Sequence, residues 1–438
     1  MRKFLLAVIS LLALTSHAQK YVGGDISLLT KYEANGAKYY DLEGNSISDM
    51  LAFLKSQGFN SMRVRLFVDP NNATQAEKGQ GVCQNLDYVK ALGKRIKDAG
   101  FSFMLDFHYS DTWADPTKQW TPQEWLTLTD DQLYTKIYEY TKDCLSQLKA
   151  AGAEPDFIQT GNEISYGMLY GKGIITEDVY SGSSRYTKYK ESDTSYKKVY
   201  AGEASNWDRF IKLLKHAGRA CREVCPDAKI IIHTERVPNA NYMKTYYSQI
   251  ASDGVDYDII GLSYYPYHHG SLVVLNSALS LLETNLDKDI MIVETGYYHA
   301  YYPTSDIKFP KSNFPQWPDT NAGQKQFAQD IVATLNQHSK VKGLYWWFME
   351  GNEYGLDWNT KRVTDEWYNA SLFDNDTGKA MPAISELKTF AEGSTAVKTI
   401  PTDIHNQDTW YTLDGRKLQG APRQKGIYIY NGKKIVVR

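Results

Sequence analysis

The chain has 438 residues, enough to bury a large core, and 42% of them are hydrophobic. Lys and Arg number 49 and Asp and Glu number 51, so the formal net charge is −2 and no basic face of the kind that binds nucleic acid is visible. Beyond the first residues no apolar run is long enough to span a bilayer, and we expect no membrane span.

The N-terminus is organised like a secretory signal peptide. Arg2 and Lys3 precede the apolar stretch 4–14, and Ser16-His17-Ala18 places small residues at the two positions that a signal peptidase reads. We therefore expect residues 1–18 to be removed and the protein to be exported to the periplasm, the cell surface or the medium.

The four cysteines are too few and too irregularly spaced for a disulfide framework or a zinc site with paired cysteines. They are Cys83, Cys144, Cys221 and Cys225. A bridge between Cys221 and Cys225 and a free state of both remain open.

Apolar strand-like runs alternate with amphipathic helical runs over residues 19–393, the pattern that produces a parallel sheet. Helices are predicted, for example, at 48–57, 86–99, 131–150, 207–224, 324–339 and 383–390. Eight strands are predicted at 22–27, 61–68, 102–108, 156–160, 229–233, 257–265, 290–294 and 343–347. Eight such units close into a (β/α)8 TIM barrel, which is the fold class we expect.

The composition changes after residue 393. Residues 394–407 are predicted to be a linker, and residues 408–438 a small β module of two or three strands with turns at Asp414-Gly415 and Asn431-Gly432. This module resembles the C-terminal tails that some Gram-negative bacteria append to exported proteins as sorting or attachment signals.

Two acidic residues follow short apolar strands directly. Glu163 lies in the run Gly161-Asn162-Glu163 after the fourth strand, and Glu294 ends the seventh strand before Gly296. Carboxylates at the loop ends of barrel strands are held rigidly and reach a common cleft, and retaining glycoside hydrolysis needs two of them. Each could instead be an ordinary strand-end residue in a surface turn, but the pair in this strand order favours a glycosidase.

The second strand carries two arginines that point to the same side. An arginine beside the nucleophilic carboxylate would keep it ionised, and we predict Arg65 for this position because it lies closer to the loop end. For Arg63 we expect a structural ion pair deep in the barrel.

The third strand ends in a polar and aromatic run, Asp106 to Pro116. Within it His108 can bond a sugar hydroxyl and Trp113 can stack on a sugar ring. Asp115 is a further candidate for substrate binding, although Asp111 and Asp115 could equally form turns.

Three more candidates lie at other strand ends. Asn162 can hold a sugar 2-hydroxyl, Tyr265 can orient Glu294 through its hydroxyl, and Trp347 can form the floor of the central subsite. A lone aromatic at such a position is otherwise a core residue.

Several of these runs are similar to glycoside hydrolase family 53, the endo-β-1,4-galactanases. The resemblance spans residues 21 to about 350 and rests on Ser61-Met62-Arg63-Val64-Arg65, Asp106 to Pro116, Gly161-Asn162-Glu163-Ile164, Gly261 to Tyr267 and Val293-Glu294-Thr295. It implies that Glu163 is the acid/base, that Glu294 is the nucleophile and that the substrate is the β-1,4-galactan of pectin.

The chain departs from the family after the eighth strand, where Trp346-Trp347-Phe348-Met349 replaces the usual Tyr-Trp-Glu-Pro. Some bacterial members hold calcium between loops 7 and 8, but the acidic residues of these regions lack the spacing of a calcium loop, so no metal and no cofactor is predicted. We expect a monomer acting on a polysaccharide. The alternatives are the same chemistry on mannan or cellulose and a non-catalytic glycan-binding barrel.

Overall fold

A computed structural model describes residues 19–171, 197–300 and 316–392, except 358, 365, 366 and 368, and in the C-terminal segment 410–412, 417–418, 420–422, 425–430 and 433–437. The predicted signal peptide, the whole of the predicted linker and most of the long segments after the fourth and seventh strands lie outside these residues. The chain divides into two units, Met1–Gly393 and Ser394–Arg438.

Eight parallel strands close into a barrel in sequence order, and the predicted (β/α)8 fold is confirmed. The strands are β1 (Tyr21–Asp25), β2 (Ser61–Leu66), β3 (Ser102–Phe107), β4 (Phe157–Thr160), β5 (Lys229–Thr234), β6 (Ile259–Tyr264), β7 (Asp289–Thr295) and β8 (Val341–Trp346). The barrel is closed because β1 pairs with β2 on one side and with β8, through Tyr21 and Gly343, on the other.

Helices surround the barrel in the described part of the chain. They are α1 (Leu29–Asn35), α2 (Met50–Ser56), α3 (Gln75–Gly79), α4 (Leu86–Asp98), α5 (Asp130–Ala150), α6 (Trp207–Val224), α7 (Ala240–Ser252), α8 (Pro266–His269), α9 (Leu272–Asn285), α10 (Asn321–Leu335), α11 (Ala383–Leu387) and α12 (Thr389–Glu392). Side-chain caps begin several of them, for example the reciprocal Thr129 and Gln132 bonds that start α5. Among the described residues no helix is long and apolar enough to cross a membrane.

The barrel interior has an apolar layer below a polar one. The apolar layer consists of Met104, Phe157, Ile231, Ile259, Met291, Val293 and Tyr345, with Tyr21 packed against it. Because side chains alternate along a strand, the residues two positions further on also face inward, nearer the loop ends. On β3, β4 and β5 these residues are Asp106, Gln159 and His233, all buried. The polar layer therefore lies at the loop ends of the strands.

A bulge in β7 interrupts this alternation. Leu262 pairs with Ile292, but the next residue, Ser263, pairs with Glu294, so β7 carries Val293 as an extra residue. Val293 belongs to the interior layer, and strict alternation would turn Glu294 toward the helices. The bulge instead lets Glu294 join the polar layer.

The C-terminal unit contains an antiparallel sheet of four strands, rather than the two or three predicted. The strands are β9 (Trp410–Thr412), β10 (Lys417–Leu418), β11 (Gly426–Tyr430) and β12 (Lys433–Val437), in the order β10-β9-β11-β12. Tyr430 pairs with Lys433, which leaves two residues for the connection and agrees with the predicted Asn-Gly hairpin.

The closeness of β1 and β2 gives a first prediction. A Cβ atom at Gly23 would lie 2.0 Å from the backbone oxygen of Ser61, so Gly23→Ala must push the two strands apart. We expect a loss of about 3 kcal/mol in the free energy of unfolding, measured by denaturant titration.

The control is Gly218→Ala within α6, where the nearest atom to a new Cβ is 3.5 Å away. Alanine is the better helix former by about 0.5–1 kcal/mol, so this variant should be at least as stable as the wild type. Equal stability of the two variants would contradict the steric argument.

Candidate active site

A single buried arginine, Arg63 on β2, organises the polar layer. Its Nη2 lies 2.8 Å from Asp106 Oδ2 and 2.8 Å from Glu294 Oε1, and its Nη1 lies 3.2 Å from Asp25 Oδ2. Burial alone would raise the pKa of Asp106, but Arg63 and His108 outweigh it and hold that pKa at about 2. One guanidinium thus joins carboxylates from β1, β3 and β7.

The prediction that Arg65 contacts the nucleophilic carboxylate is wrong, because Arg63 fills that place. Arg65 pairs with Asp25 at 2.9 Å, and its guanidinium carbon lies 4.6 Å from the ring centre of Trp113 and 4.9 Å from that of Phe348. The sequence argument compared backbone positions only. The charge of an arginine lies several bond lengths from its Cα, about the distance that two residues span along a strand. The guanidinium of Arg63, the deeper of the two, therefore reaches the layer that contains Glu294.

Glu294 is buried and is held from two sides. Arg63 contacts its Oε1, and the Tyr265 hydroxyl donates to its Oε2 at 3.0 Å, which is the orientation predicted for Tyr265. Burial raises the pKa of Glu294 to about 7, while Arg63 and the Tyr265 hydroxyl act in the opposite direction. Both of these contacts favour the ionised form.

Glu163 lies after β4 in the left-handed region, with φ 49°, and its backbone N–H donates to His233 Nδ1 at 3.3 Å. Burial raises the pKa of its carboxyl group well above the usual value, and the charges of Glu294 and Glu235 raise it further. No arginine contact opposes these effects among the interactions described for Glu163.

The Ser263 hydroxyl lies near both carboxyl groups. It is 3.4 Å from Glu294 Oε2, and it acts to lower the pKa of Glu163 against the larger effect of burial. Because Arg63 contacts Glu294 directly and no ion pair is described for Glu163, Glu294 loses its proton before Glu163 does. A carboxylate beside a carboxylic acid is the pair that general acid catalysis with a nucleophile requires.

His233 is a member of the site that the sequence analysis did not identify. Its Nδ1 lies 3.0 Å from Asn162 Oδ1 and 2.9 Å from Gln159 Nε2, and its Nε2 lies 2.8 Å from Ser263 Oγ. Burial lowers its pKa well below the ordinary value, so the ring is neutral. A polar residue at the end of the apolar run 229–233 was the available signal.

Asn162 lies between Arg63 and the third strand's loop. Its side-chain oxygen accepts from Arg63 Nη2 at 3.0 Å, and its Nδ2 donates to the Ala114 carbonyl at 2.8 Å. These contacts fix the orientation of the amide beside Glu163. Binding of a sugar hydroxyl by Asn162 stays a prediction.

His108 does not have the orientation predicted for a sugar contact. The ring is buried, Nδ1 accepts from the Ala114 N–H at 3.0 Å, and Nε2 lies 3.1 Å from Asp106 Oδ2. Since both ring nitrogens face protein atoms, His108 instead supports the loop after β3 and stabilises Asp106.

The two aspartates of this loop have different structural roles. Asp115 forms a turn, since its Oδ1 accepts from the N–H and the hydroxyl of Thr117 at 2.8 and 2.6 Å. Asp111 instead joins separate parts of the chain, because it accepts from the backbone N–H groups of Asp69 and Gln123. Substrate binding by Asp115 stays a prediction.

Aromatic side chains form the walls beside Glu294. The rings of Trp113 and Trp347 lie 6.1 Å apart, and Trp347 also packs 6.1 Å from Trp367. Tyr265, Tyr267, Tyr298, Trp347 and Trp367 are among the residues that line a pocket here. Stacking of sugars on Trp113 and Trp347 stays a prediction, and Trp367 is an additional candidate.

No group of three or more His, Cys, Asp or Glu residues is arranged to hold a metal ion within the described part of the chain. Asp357 and Asp374 accept hydrogen bonds within turns of loop 8, and Asp319 accepts from Tyr267. Asp306, another acidic residue of the regions compared with a calcium loop, lies outside the described residues. The four cysteines are free in this structure.

Comparison with known proteins agrees with this geometry. The model of glycosyl hydrolase family 53 matches residues 21–387. A protein of Neosartorya fischeri named probable arabinogalactan endo-beta-1,4-galactanase A is 31% identical over 344 residues, which cover 76% of this chain and 85% of that protein.

Solved structures of the same family superpose on the barrel. The GH53 catalytic domain of Ignisphaera aggregans is 27% identical with a TM-score of 0.69, covering 84% of this chain and 95% of that domain. One chain from a study of two fungal beta-1,4-galactanases is 27% identical with a TM-score of 0.65, covering 85% and 99%.

The contacts of Arg63 give a second prediction. Arg63→Met leaves three buried carboxylates without their shared cation, and we expect a loss of roughly 3–5 kcal/mol in the free energy of unfolding at neutral pH. Without the cation the pKa of Asp106 is no longer held below its unfolded value, and the pKa of Glu294 rises still further above its own, so the penalty grows as pH rises from about 4. Denaturant titrations at pH 5 and pH 7 should show the larger deficit at pH 7.

Arg65→Met is the matched comparison, since Arg65 contacts one carboxylate, that of Asp25. It should lose less stability than Arg63→Met at both pH values. A larger loss for Arg65→Met would show that the layer does not depend on Arg63.

Proposed function

Because the chain belongs to glycosyl hydrolase family 53, we propose that it is an endo-acting hydrolase that cleaves β-1,4-galactan, the side chain of pectin, with retention of configuration. The observation that carries the proposal is the unequal environment of two neighbouring carboxyl groups. Glu294 is held by Arg63 and Tyr265, whereas the half-buried Glu163 has a raised pKa and feels the charge of Glu294.

The proposed reaction has two displacements. First the Glu294 carboxylate attacks the anomeric carbon while the glycosidic bond breaks and Glu163 gives its proton to the leaving oxygen. Glu163, now ionised, then takes a proton from a water molecule that attacks the same carbon and releases Glu294. The proton thus returns to Glu163, and the product keeps the β configuration.

Retention requires carboxyl groups roughly 5 Å apart, because a wider gap would admit the water that an inverting enzyme uses. The position of Ser263, 3.4 Å from Glu294 Oε2 and close enough to Glu163 to affect its pKa, supports this spacing. The aromatic walls formed by Trp113, Trp347 and Trp367 support a polysaccharide substrate, since their flat faces can stack on sugar rings.

We propose export as well, because a polysaccharide such as galactan is found outside the cytoplasm. The N-terminal sequence pattern and the tail-like C-terminal unit support it. Protein secreted by the native host should begin at Gln19 by N-terminal sequencing. Cytoplasmic protein that still begins at Met1 would contradict export.

The substrate and the residue roles can be tested together. Wild-type protein should release reducing ends from β-1,4-galactan much faster than from mannan, xylan or cellulose, and Glu163→Ala and Glu294→Ala should each abolish this release. Faster release from mannan or cellulose would show that the substrate is that polymer and not galactan. Binding without any release would support a glycan-binding barrel.

An activated aryl β-galactoside with added azide separates the two roles, because its leaving group needs little protonation. Glu163→Ala should still form the glycosyl-enzyme, which azide attacks to give the β-azide. Glu294→Ala has no nucleophile, so azide attacks directly and gives the α-azide. The anomer is read by NMR, and reversed anomers would exchange the two roles.

A further inference from the structure

A third carboxyl group, that of Glu235, lies beside the acid/base. It is buried directly after β5, its Oε1 accepts from Ser165 Oγ at 2.7 Å, and Arg236 Nε lies 3.0 Å from the same oxygen. Its Oε2 is buried and has no hydrogen-bond partner among the described residues. A buried carboxylate oxygen without a partner is costly, and the proposed chemistry does not yet use it.

Backbone contacts fix Glu235 next to Glu163. The N–H of Ile164 donates to the carbonyl of His233 at 2.9 Å, which joins the loop after β4 to the end of β5. On the other side Tyr246 and Tyr242 of α7 donate to the carbonyls of Ile164 and Ser165, each at 2.8 Å. Glu163 and Glu235 therefore keep their relative positions.

We propose that Glu235 is a positioning residue for proton transfer, whose carboxylate keeps the catalytic proton on Glu163 until the glycosidic oxygen takes it. This inference rests on the proposed function, because it assigns Glu163 the role of acid. Glu235 need not touch the substrate for this. Its negative charge makes ionisation of the neighbouring Glu163 less favourable.

The electrostatics of the cluster support this role. Burial raises the pKa of Glu235 to about 7, and the pKa of Glu163 is raised well above its usual value by burial and by the charges of Glu294 and Glu235. Ser165 Oγ and Arg236 Nε contact the Glu235 carboxylate and favour its ionised form, whereas no ion pair is described for Glu163, so Glu235 ionises while Glu163 still holds its proton. The charge of Glu235 is then present in the pH range in which Glu163 would otherwise begin to lose the proton.

Other charges near Glu163 are weaker candidates. Arg236 has about a third of its side chain exposed and stacks 4.2 Å from the ring centre of Tyr166, so solvent screens its charge. Asp115 is also about a third exposed and lies 3.4 Å from Lys118 Nζ. The titratable and charged groups near Glu163 are Asp115, His233, Glu235, Arg236, Tyr265 and Glu294.

Glu235 could instead serve only to anchor Ser165 and Arg236. Glu235→Gln separates the two roles, because the amide oxygen can still accept from Ser165 Oγ while the charge is lost. Ser165→Ala is the second variant. It removes a hydrogen bond that favours the ionised form of Glu235, so it should act in the same direction with a smaller effect.

The first measurement is the pH dependence of kcat/KM on galactan. Loss of the Glu163 proton sets the alkaline limb, and removing a neighbouring negative charge lowers the pKa of Glu163. Glu235→Gln should therefore move the alkaline limb to lower pH by about half a unit or more. The initial release from an activated aryl galactoside, which needs little protonation, should remain close to that of the wild type.

The control is Glu77→Gln. Glu77 is also buried, but it closes the capping box of α3 with Thr74, a role that glutamine can keep. Its pH profile should match that of the wild type. A shift of equal size in Glu77→Gln would show that the effect is not specific to Glu235.

The second measurement needs no substrate. In protein labelled with 13C at the Glu side-chain carboxyl, the Glu163 signal is identified by its loss in Glu163→Gln, and its titration is followed by NMR. A lower Glu163 pKa in Glu235→Gln supports the inference even if galactan proves not to be the substrate. An unchanged Glu163 titration in folded Glu235→Gln overturns it. If that variant does not fold, Ser165→Ala decides in the same way.

Discussion

The buried guanidinium of Arg63 is the constraint on which the site depends. A charge removed from water costs several kcal/mol unless ionic and hydrogen-bonded partners replace the solvent. Arg63 finds these partners on β1, β3, β4 and β7, namely Asp25, Asp106, Gln159 and Glu294, with Asn162 in the loop after β4. The strand ends must therefore hold a fixed register around it, and the same register sets the positions of the Glu163 and Glu294 carboxyl groups.

The division of labour between the carboxyl groups follows from the placement of this one cation. Burial raises the pKa of both Glu163 and Glu294, so burial cannot distinguish them. Arg63 contacts Glu294, and the resulting charge on Glu294 then works against ionisation of Glu163. The neutral ring of His233 adds no opposing charge, but its Nδ1 accepts from the Glu163 N–H and its Nε2 bonds to Ser263 Oγ, so it holds the loop after β4 against β6.

The fold could be predicted from the sequence because it depends on the periodicity of apolar residues. Several contacts of the site could not be predicted in this way. All eight strands were located, since each is a short apolar run followed by a helical pattern. The position of Arg63 depends on side-chain length, and the presentation of Glu294 depends on the bulge at Val293, which alternation alone does not reveal. Glu163 and Tyr265 were found because their backbone positions at strand ends already bring them to the cleft.

The end of β8 shows how the chain accommodates its departure from the family pattern. Where the family usually has Glu-Pro, this chain has Phe348-Met349, and Phe348 adopts a left-handed conformation with φ 51°. Among the described residues Arg65 forms an ion pair with one carboxylate, that of Asp25, and its guanidinium lies over the rings of Trp113, Trp347 and Phe348. Aromatic faces attract a cation without adding a negative charge. The balance of charge around Glu294 is therefore left to Arg63 and its acidic partners, and the wall of the cleft at β8 becomes apolar.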